Sequence, residues 1–156
     1  MSAGSVRAWL AEHAPDVRLI EAHGSTATVA DAAATLGVEP GRIAKTLCIR
    51  AGGEALLLVT RGDARLDNGK CKAALGGRPR MLGAEETLGM TGHPVGGVCP
   101  FGLATPMRVL CDVSLREFAT VFPAAGSRTS SVELAPEQLF DLVGDGWVDA
   151  CRLPED

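Results

Sequence analysis

Tyrosine is absent from this 156-residue chain, and the other aromatics amount to two Trp and four Phe. Rows of stacked rings that would hold single-stranded bases are therefore excluded. No apolar run approaches the roughly 18 residues that a membrane-spanning helix needs. No basic segment followed by an apolar one opens the chain, so no signal peptide is expected and the cytoplasm is the expected location. The five cysteines, Cys48, Cys71, Cys99, Cys111 and Cys151, are odd in number and contain no C-x-x-C pair. They read as reduced thiols, several of them packing as small hydrophobes. No second closely spaced pair supports His93 and Cys99 as zinc ligands, so no metal is expected. Neither G-x-G-x-x-G nor G-x-x-x-x-G-K-[ST] occurs, which argues against a dinucleotide fold or a P-loop. No cofactor is expected.

What is present is the composition of a globular protein, 46% hydrophobic and 22% charged. The length fits one domain over residues 1–156, long enough to bury a core. The net charge is −4 but unevenly spread. Between Arg61 and Arg80 stand Arg61, Arg65, Lys70, Lys72, Arg78 and Arg80, against only Asp63 and Asp67. Such a segment in an acidic chain fits a local phosphate-binding face, or an ordinary solvated surface.

Apolar spacing and capping residues predict a helix over 5–14 capped by Ser5, and a strand over 17–22. A helix capped by Thr28 should run through Leu36, with Gly37 ending it. Strands over 45–50 and 55–60 should form a hairpin about Gly52-Gly53, the second apolar on both faces and so central. Asp67 caps a basic helix through Leu75. An extended piece over 80–82 and a helix over 84–88 lead to a glycine-rich loop. A strand over 108–111, a helix over 114–118 and strand pieces near Val121 and Val132 follow. A helix begins at Pro136, and a last strand covers 147–151. The order mixes hairpins with helices, which implies an α/β fold with a mixed sheet and helices packed around it.

Lys45 is the candidate of most interest. It sits among apolar neighbours with no carboxylate close in sequence, on the strand face it shares with Leu47 and Ile49. Such a lysine finds a partner, lowers its pKa, snorkels to water, or opens onto a cleft and binds an oxyanion, carbonyl or phosphate. The second candidate is the loop Gly96-Gly97-Val98-Cys99-Pro100-Phe101-Gly102. Adjacent glycines and a proline make a stiff turn whose amide N–H groups can converge on a carbonyl or carboxylate, unless they serve geometry alone. Cys99 would be a nucleophile only beside a histidine in an electropositive site. His23 precedes Gly24 and is placed either at a cleft rim or on the surface.

These pieces, in this order, resemble the YbaK/ProX family of aminoacyl-tRNA deacylases, related to the editing domain of bacterial prolyl-tRNA synthetase. The resemblance runs from about Thr28 to Leu142. It is carried by Lys45-Thr46, Thr60-Arg61-Gly62-Asp63, the basic helix over 66–75, and Thr91-Gly92. Further along it is carried by Gly96-x-x-x-Pro100, Asp112, Ala125-Gly126-Ser127 and Val132-Glu133-Leu134-Ala135-Pro136. It implies a mixed, barrel-like sheet surrounded by helices, and hydrolysis of the ester joining a wrong amino acid to the tRNA 3′ end. Lys45 would be the key polar residue. Gly96, Gly97, Val98, Cys99 and Pro100 would hold the aminoacyl group, with Thr46, Gly126, Ser127 and His23 beside it. Arg61, Arg65, Lys70 and Lys72 would meet tRNA phosphates. The implied partners are aminoacyl-tRNA and a synthetase, not a membrane or DNA.

The absence of tyrosine, with His23 near the place where an aromatic residue is common, argues against a cysteine-specific enzyme. Cys99 stands where a small residue such as serine is common, and is read as packing. A non-catalytic module that binds tRNA or an aminoacyl ligand is the alternative function, and a thiol enzyme using Cys99 the least favoured.

Overall fold

The computed structural model describes residues 2–154. Helix α1 (Ser2–His13) is followed by strand β1 (Leu19–Glu21) and helix α2 (Val29–Leu36). A 3-10 turn at Pro40–Arg42 leads into the hairpin of β2 (Ile43–Ala51) and β3 (Glu54–Arg61). Then come β4 (Arg65–Leu66), α3 (Asn68–Leu75), β5 (Arg80–Met81) and α4 (Ala84–Thr91). After the glycine-rich loop lie β6 (Arg108–Asp112), β7 (Phe122–Pro123) and β8 (Ser130–Val132). Helix α5 (Pro136–Val143) and strands β9 (Gly146–Val148) and β10 (Cys151–Arg152) complete the order.

Local chemistry accounts for most boundaries. The Thr28 side chain accepts from the Asp31 N–H, and that of Asp67 from the Lys70 N–H, so both caps act as expected. The hairpin turns at Gly52 and Gly53, both at positive φ, the geometry of a two-residue turn that matches strand twist.

The main sheet runs β5-β2-β3-β6-β9, with β7 also on β2. It is mixed: β2 is antiparallel to β3 and β5, while β3–β6, β6–β9 and β2–β7 are parallel. Two small sheets, β1–β8 and β4–β10, flank it. The edges β5 and β9 do not pair with each other, so the sheet is open rather than a closed barrel.

Strand β3 explains its own sequence. Leu56 and Leu58 face one cluster with Ile49, Cys71, Leu75 and Leu110. Leu57 and Val59 face the other, with Val6, Leu10, Phe101, Val109 and Leu115. A strand covered on both sides has no polar face to alternate with.

Four expectations are corrected. Ser5 lies inside α1 and does not cap it. Helix α4 continues to Thr91, where Gly92 ends it in the left-handed conformation. The element near Ser114 is a 3-10 turn, Val113–Glu117. The expected last strand splits into β9 and β10, which belong to different sheets. Buried Asp112 holds that split: Oδ1 accepts from the Ala150 N–H at 2.8 Å, and Oδ2 accepts from the Ser114 N–H at 3.0 Å.

Candidate functional site

Among the described residues, strands pair with the outer edge of β2 in two places. Strand β7 pairs with it at Ile43 and Ala44, and β5 at Ile49 and Arg50. The Leu82 N–H donates to the Cys48 carbonyl at 3.0 Å. Between them, no described strand pairs with Lys45–Leu47 on that edge. Because the Cys48 carbonyl points outward, the alternation of an antiparallel pair turns the N–H and C=O of Thr46 the same way.

A cavity of about 300 Å³ occupies this gap. Lys45, Thr46, Leu47 and Cys48 form its sheet side, and Thr26, Val29 and Ala32 its α2 side. Val95, Gly96 and Val98 close it from the glycine loop, and Met81, Leu82, Phe122 and Ser131 complete the lining. The walls are mostly apolar with a few polar groups, the usual character of a small-molecule site. Since it lies at a strand edge, residues of both sheet faces reach it.

Lys45 is half-buried, and its Nζ donates to the Ala64 carbonyl at 2.6 Å. Burial pushes its pKa below the ordinary lysine value, an effect that the nearby Asp63 charge opposes and Arg65 reinforces. Asp63 is itself held below the usual carboxylate range, chiefly by its hydrogen bond to Arg61. Two lysine N–H groups remain beyond the Ala64 contact.

The hydroxyl of Thr46 is buried without a hydrogen-bond partner among the described residues, and so is that of Thr26. The other threonines of the lining are engaged. Thr28 caps α2, and the Thr87 hydroxyl donates to the Leu82 carbonyl at 3.4 Å.

The glycine loop is seated by backbone contact. The Gly126 N–H donates to the Gly97 carbonyl at 3.1 Å. A Cβ on Gly97 would lie 2.7 Å from the Ser127 nitrogen, so only glycine fits. Gly97, Gly126 and Ser127 thus stand behind the cavity wall that Gly96 and Val98 provide. The Ser127 hydroxyl bonds that of Ser130 at 2.7 Å.

Other expected site residues lie elsewhere. Cys99 and Pro100 are buried and do not line the cavity. Burial pushes the Cys99 thiol up to about 12. His93 lies near it, Nε2 to Sγ 3.6 Å, but Nε2 is 2.7 Å from the Phe101 carbonyl and therefore carries the hydrogen. That nitrogen cannot act as base to the thiol. His23 is exposed after β1, away from the lining.

The basic segment does not form one free face. Arg61 is bound to Asp63 and Glu117 and stacks over Phe118. Lys70 pairs with Asp149 at 3.0 Å and donates to the Cys151 carbonyl. Arg65 and Lys72 are exposed and make no ion pair among the described residues.

Thr26, Val29, Leu82, Val95 and Ser131 escaped the sequence reading. Thr26 is brought in by its N–H, which donates to the Arg128 carbonyl at 2.7 Å, a pairing across about a hundred residues. Only the α2 residues carried a signal, in the helical spacing of Val29 and Ala32. A second cavity of about 180 Å³, between α1 and β1, has Arg7 as its one charged group.

No described helix is long and apolar enough to cross a membrane, and the described residues contain no cluster suited to a metal. The chain is 46% identical to "Uncharacterized protein YwhH" of Bacillus subtilis over 154 residues, 97% of this chain and 98% of that one. It is 31% identical to "Putative Cys-tRNA(Pro)/Cys-tRNA(Cys) deacylase EbsC" of Enterococcus faecalis, covering 83% and 78% of the two. A solved structure described as "Crystal structure of a putative trans-editing enzyme for prolyl tRNA synthetase" superposes with a TM-score of 0.87 at 32% identity, covering 97% of each chain. Residues 23–142 match the model of the aminoacyl-tRNA editing domain, and the chain belongs to that family.

Proposed function

We propose that this protein is a trans-editing hydrolase that removes a wrong amino acid from the 3′ end of tRNA. The observation that carries this reading is that Lys45, Thr46, Gly96 and Val98 share one largely apolar cavity at an uncovered strand edge. The aminoacyl group enters that cavity. The Lys45 ammonium faces the ester carbonyl or the terminal phosphate, and the outward Thr46 N–H adds a donor to the developing oxyanion. Water adds to the carbonyl carbon, the bond to the ribose oxygen breaks, and the products are a free amino acid and a tRNA 3′-hydroxyl. The ester is already activated, so orientation and charge stabilisation supply much of the rate without a Ser-His-Asp set. Of the four expected tRNA contacts, Arg65 and Lys72 are the two without an ion pair among the described residues; they are assigned to phosphates, and their contribution should weaken with salt. A synthetase that hands over the tRNA is the expected further partner.

The test is deacylation of a panel of mischarged tRNAs, beside Lys45→Ala. At least one ester should be hydrolysed well above the rate in buffer, and the variant should lose about 10²- to 10³-fold, the usual effect of one oxyanion donor. Binding of tRNA with no turnover of any ester would instead support a non-catalytic module.

A further inference from the structure

We infer that the cavity selects an amino acid with a side-chain hydroxyl, so that the ester cleaved fastest carries serine or threonine. This rests on the deacylase reading above and goes beyond it in naming the substrate class.

Two buried hydroxyls without partners, Thr26 Oγ1 and Thr46 Oγ1, belong to residues on the wall of the same cavity. Buried polar groups are nearly always paired, and a group left orphaned calls for an explanation. Both oxygens are shielded from solvent. Rotation about the threonine Cα–Cβ bond exchanges hydroxyl for methyl within nearly the same volume, and so presents the oxygen to an occupant. A ligand hydroxyl is suited to this pair because it both donates and accepts. An aliphatic side chain of the same shape would leave both hydroxyls unpaired.

The α-ammonium of the substrate, common to every amino acid, has a separate acceptor in the outward Thr46 carbonyl. The hydroxyls are thereby left to the side chain. Val29, Ala32, Ile43 and Phe122 supply an apolar wall for its carbon atoms. A purely apolar pocket discriminates weakly between isosteres, whereas a site that hydrogen-bonds a substrate hydroxyl rejects the analogue lacking it more strongly.

The experiment compares two isosteric pairs on the same tRNA: serine against 2-aminobutyrate, and threonine against valine. Each pair differs by a hydroxyl in place of a methyl. The wild-type kcat/KM should favour the hydroxyl member by about tenfold or more in at least one pair, equivalent to about 1.4 kcal/mol. Thr46→Val and Thr26→Val should each lower that ratio, with thermal melts reporting that the variants are folded. Measurable hydrolysis with equal rates within both pairs, or faster loss of the aliphatic members, overturns this inference and leaves the deacylase reading standing. No turnover of any of the four esters overturns the inference, and the deacylase reading falls with it only when the whole panel of mischarged tRNAs is also left intact.

Discussion

Lys45 reaches across nineteen residues of sequence to donate its Nζ hydrogen to the Ala64 carbonyl at 2.6 Å. The contact anchors the amine and fixes one of its three N–H groups. The other two keep their freedom, and burial has already stripped part of their hydration. An ammonium held this way gives a stronger field at a substrate oxygen than one on the open surface.

The lowered pKa of Lys45 has consequences for stability and for rate. A lysine whose folded pKa lies below its unfolded value disfavours folding while it is charged. Between the folded value and the ordinary 10.5, the unfolded state binds more protons, so stability rises with pH across that window. Lys45→Met should remove this rise and melt higher than wild type at neutral pH. Deacylation that uses the charged amine should fall as pH passes the lowered pKa, short of the ordinary lysine range. Melting curves and single-turnover rates from neutral to alkaline pH measure both.

Cys99 should be chemically silent in the native protein. Its thiol is fully buried and raised to about 12, with the neighbouring imidazole nitrogen engaged by a carbonyl. Iodoacetamide at neutral pH should label it only after unfolding, as mass spectrometry of the intact protein would show. Cys99→Ala should lose stability through its small cavity yet continue to hydrolyse the ester.

Gly97→Ala should be costly where Gly89→Ala is not. The first places a Cβ against the backbone of Ser127 and Gly126, which would unseat the loop. A loss of about 1–3 kcal/mol in stability is expected, with a fall in kcat/KM because Gly96 and Val98 move with it. The second meets nothing within 4 Å inside α4, and should stabilise by about 0.5–1 kcal/mol. Denaturant unfolding separates the two.

The local parts of this fold were legible because each is signalled by a few neighbouring residues. The Gly52-Gly53 turn, the Thr28 and Asp67 caps and the Pro136 start of α5 depend on contacts within a few positions. Lys45 stood out because a cation in an apolar strand is anomalous wherever that strand goes. The gap in the sheet was not legible. It exists because the pairing of β7 with β2 ends at Ala44 and that of β5 begins at Ile49, a register set by segments up to about eighty residues away. Cys99 was legible as packing, but its exclusion from the cavity wall was not, because a glycine loop reads as one unit whereas the chain turns inward after Val98 and buries the thiol. Arg61 and Lys70 misled because the carboxylates that bind them, Glu117 and Asp149, lie far along the sequence.

On the proposed function, the aminoacyl end of tRNA occupies the gap between Lys45-Thr46 and Gly96-Val98. Titration of the ¹⁵N-labelled protein with a non-hydrolysable 3′-aminoacylamino-adenosine tests it most directly. The largest amide shifts should fall at Thr46, Gly96 and Val98, accompanied by a shift of the Lys45 Nζ resonance. Shifts centred on Leu10 and Leu19 at the smaller groove, with Lys45 and Thr46 unmoved, would contradict it.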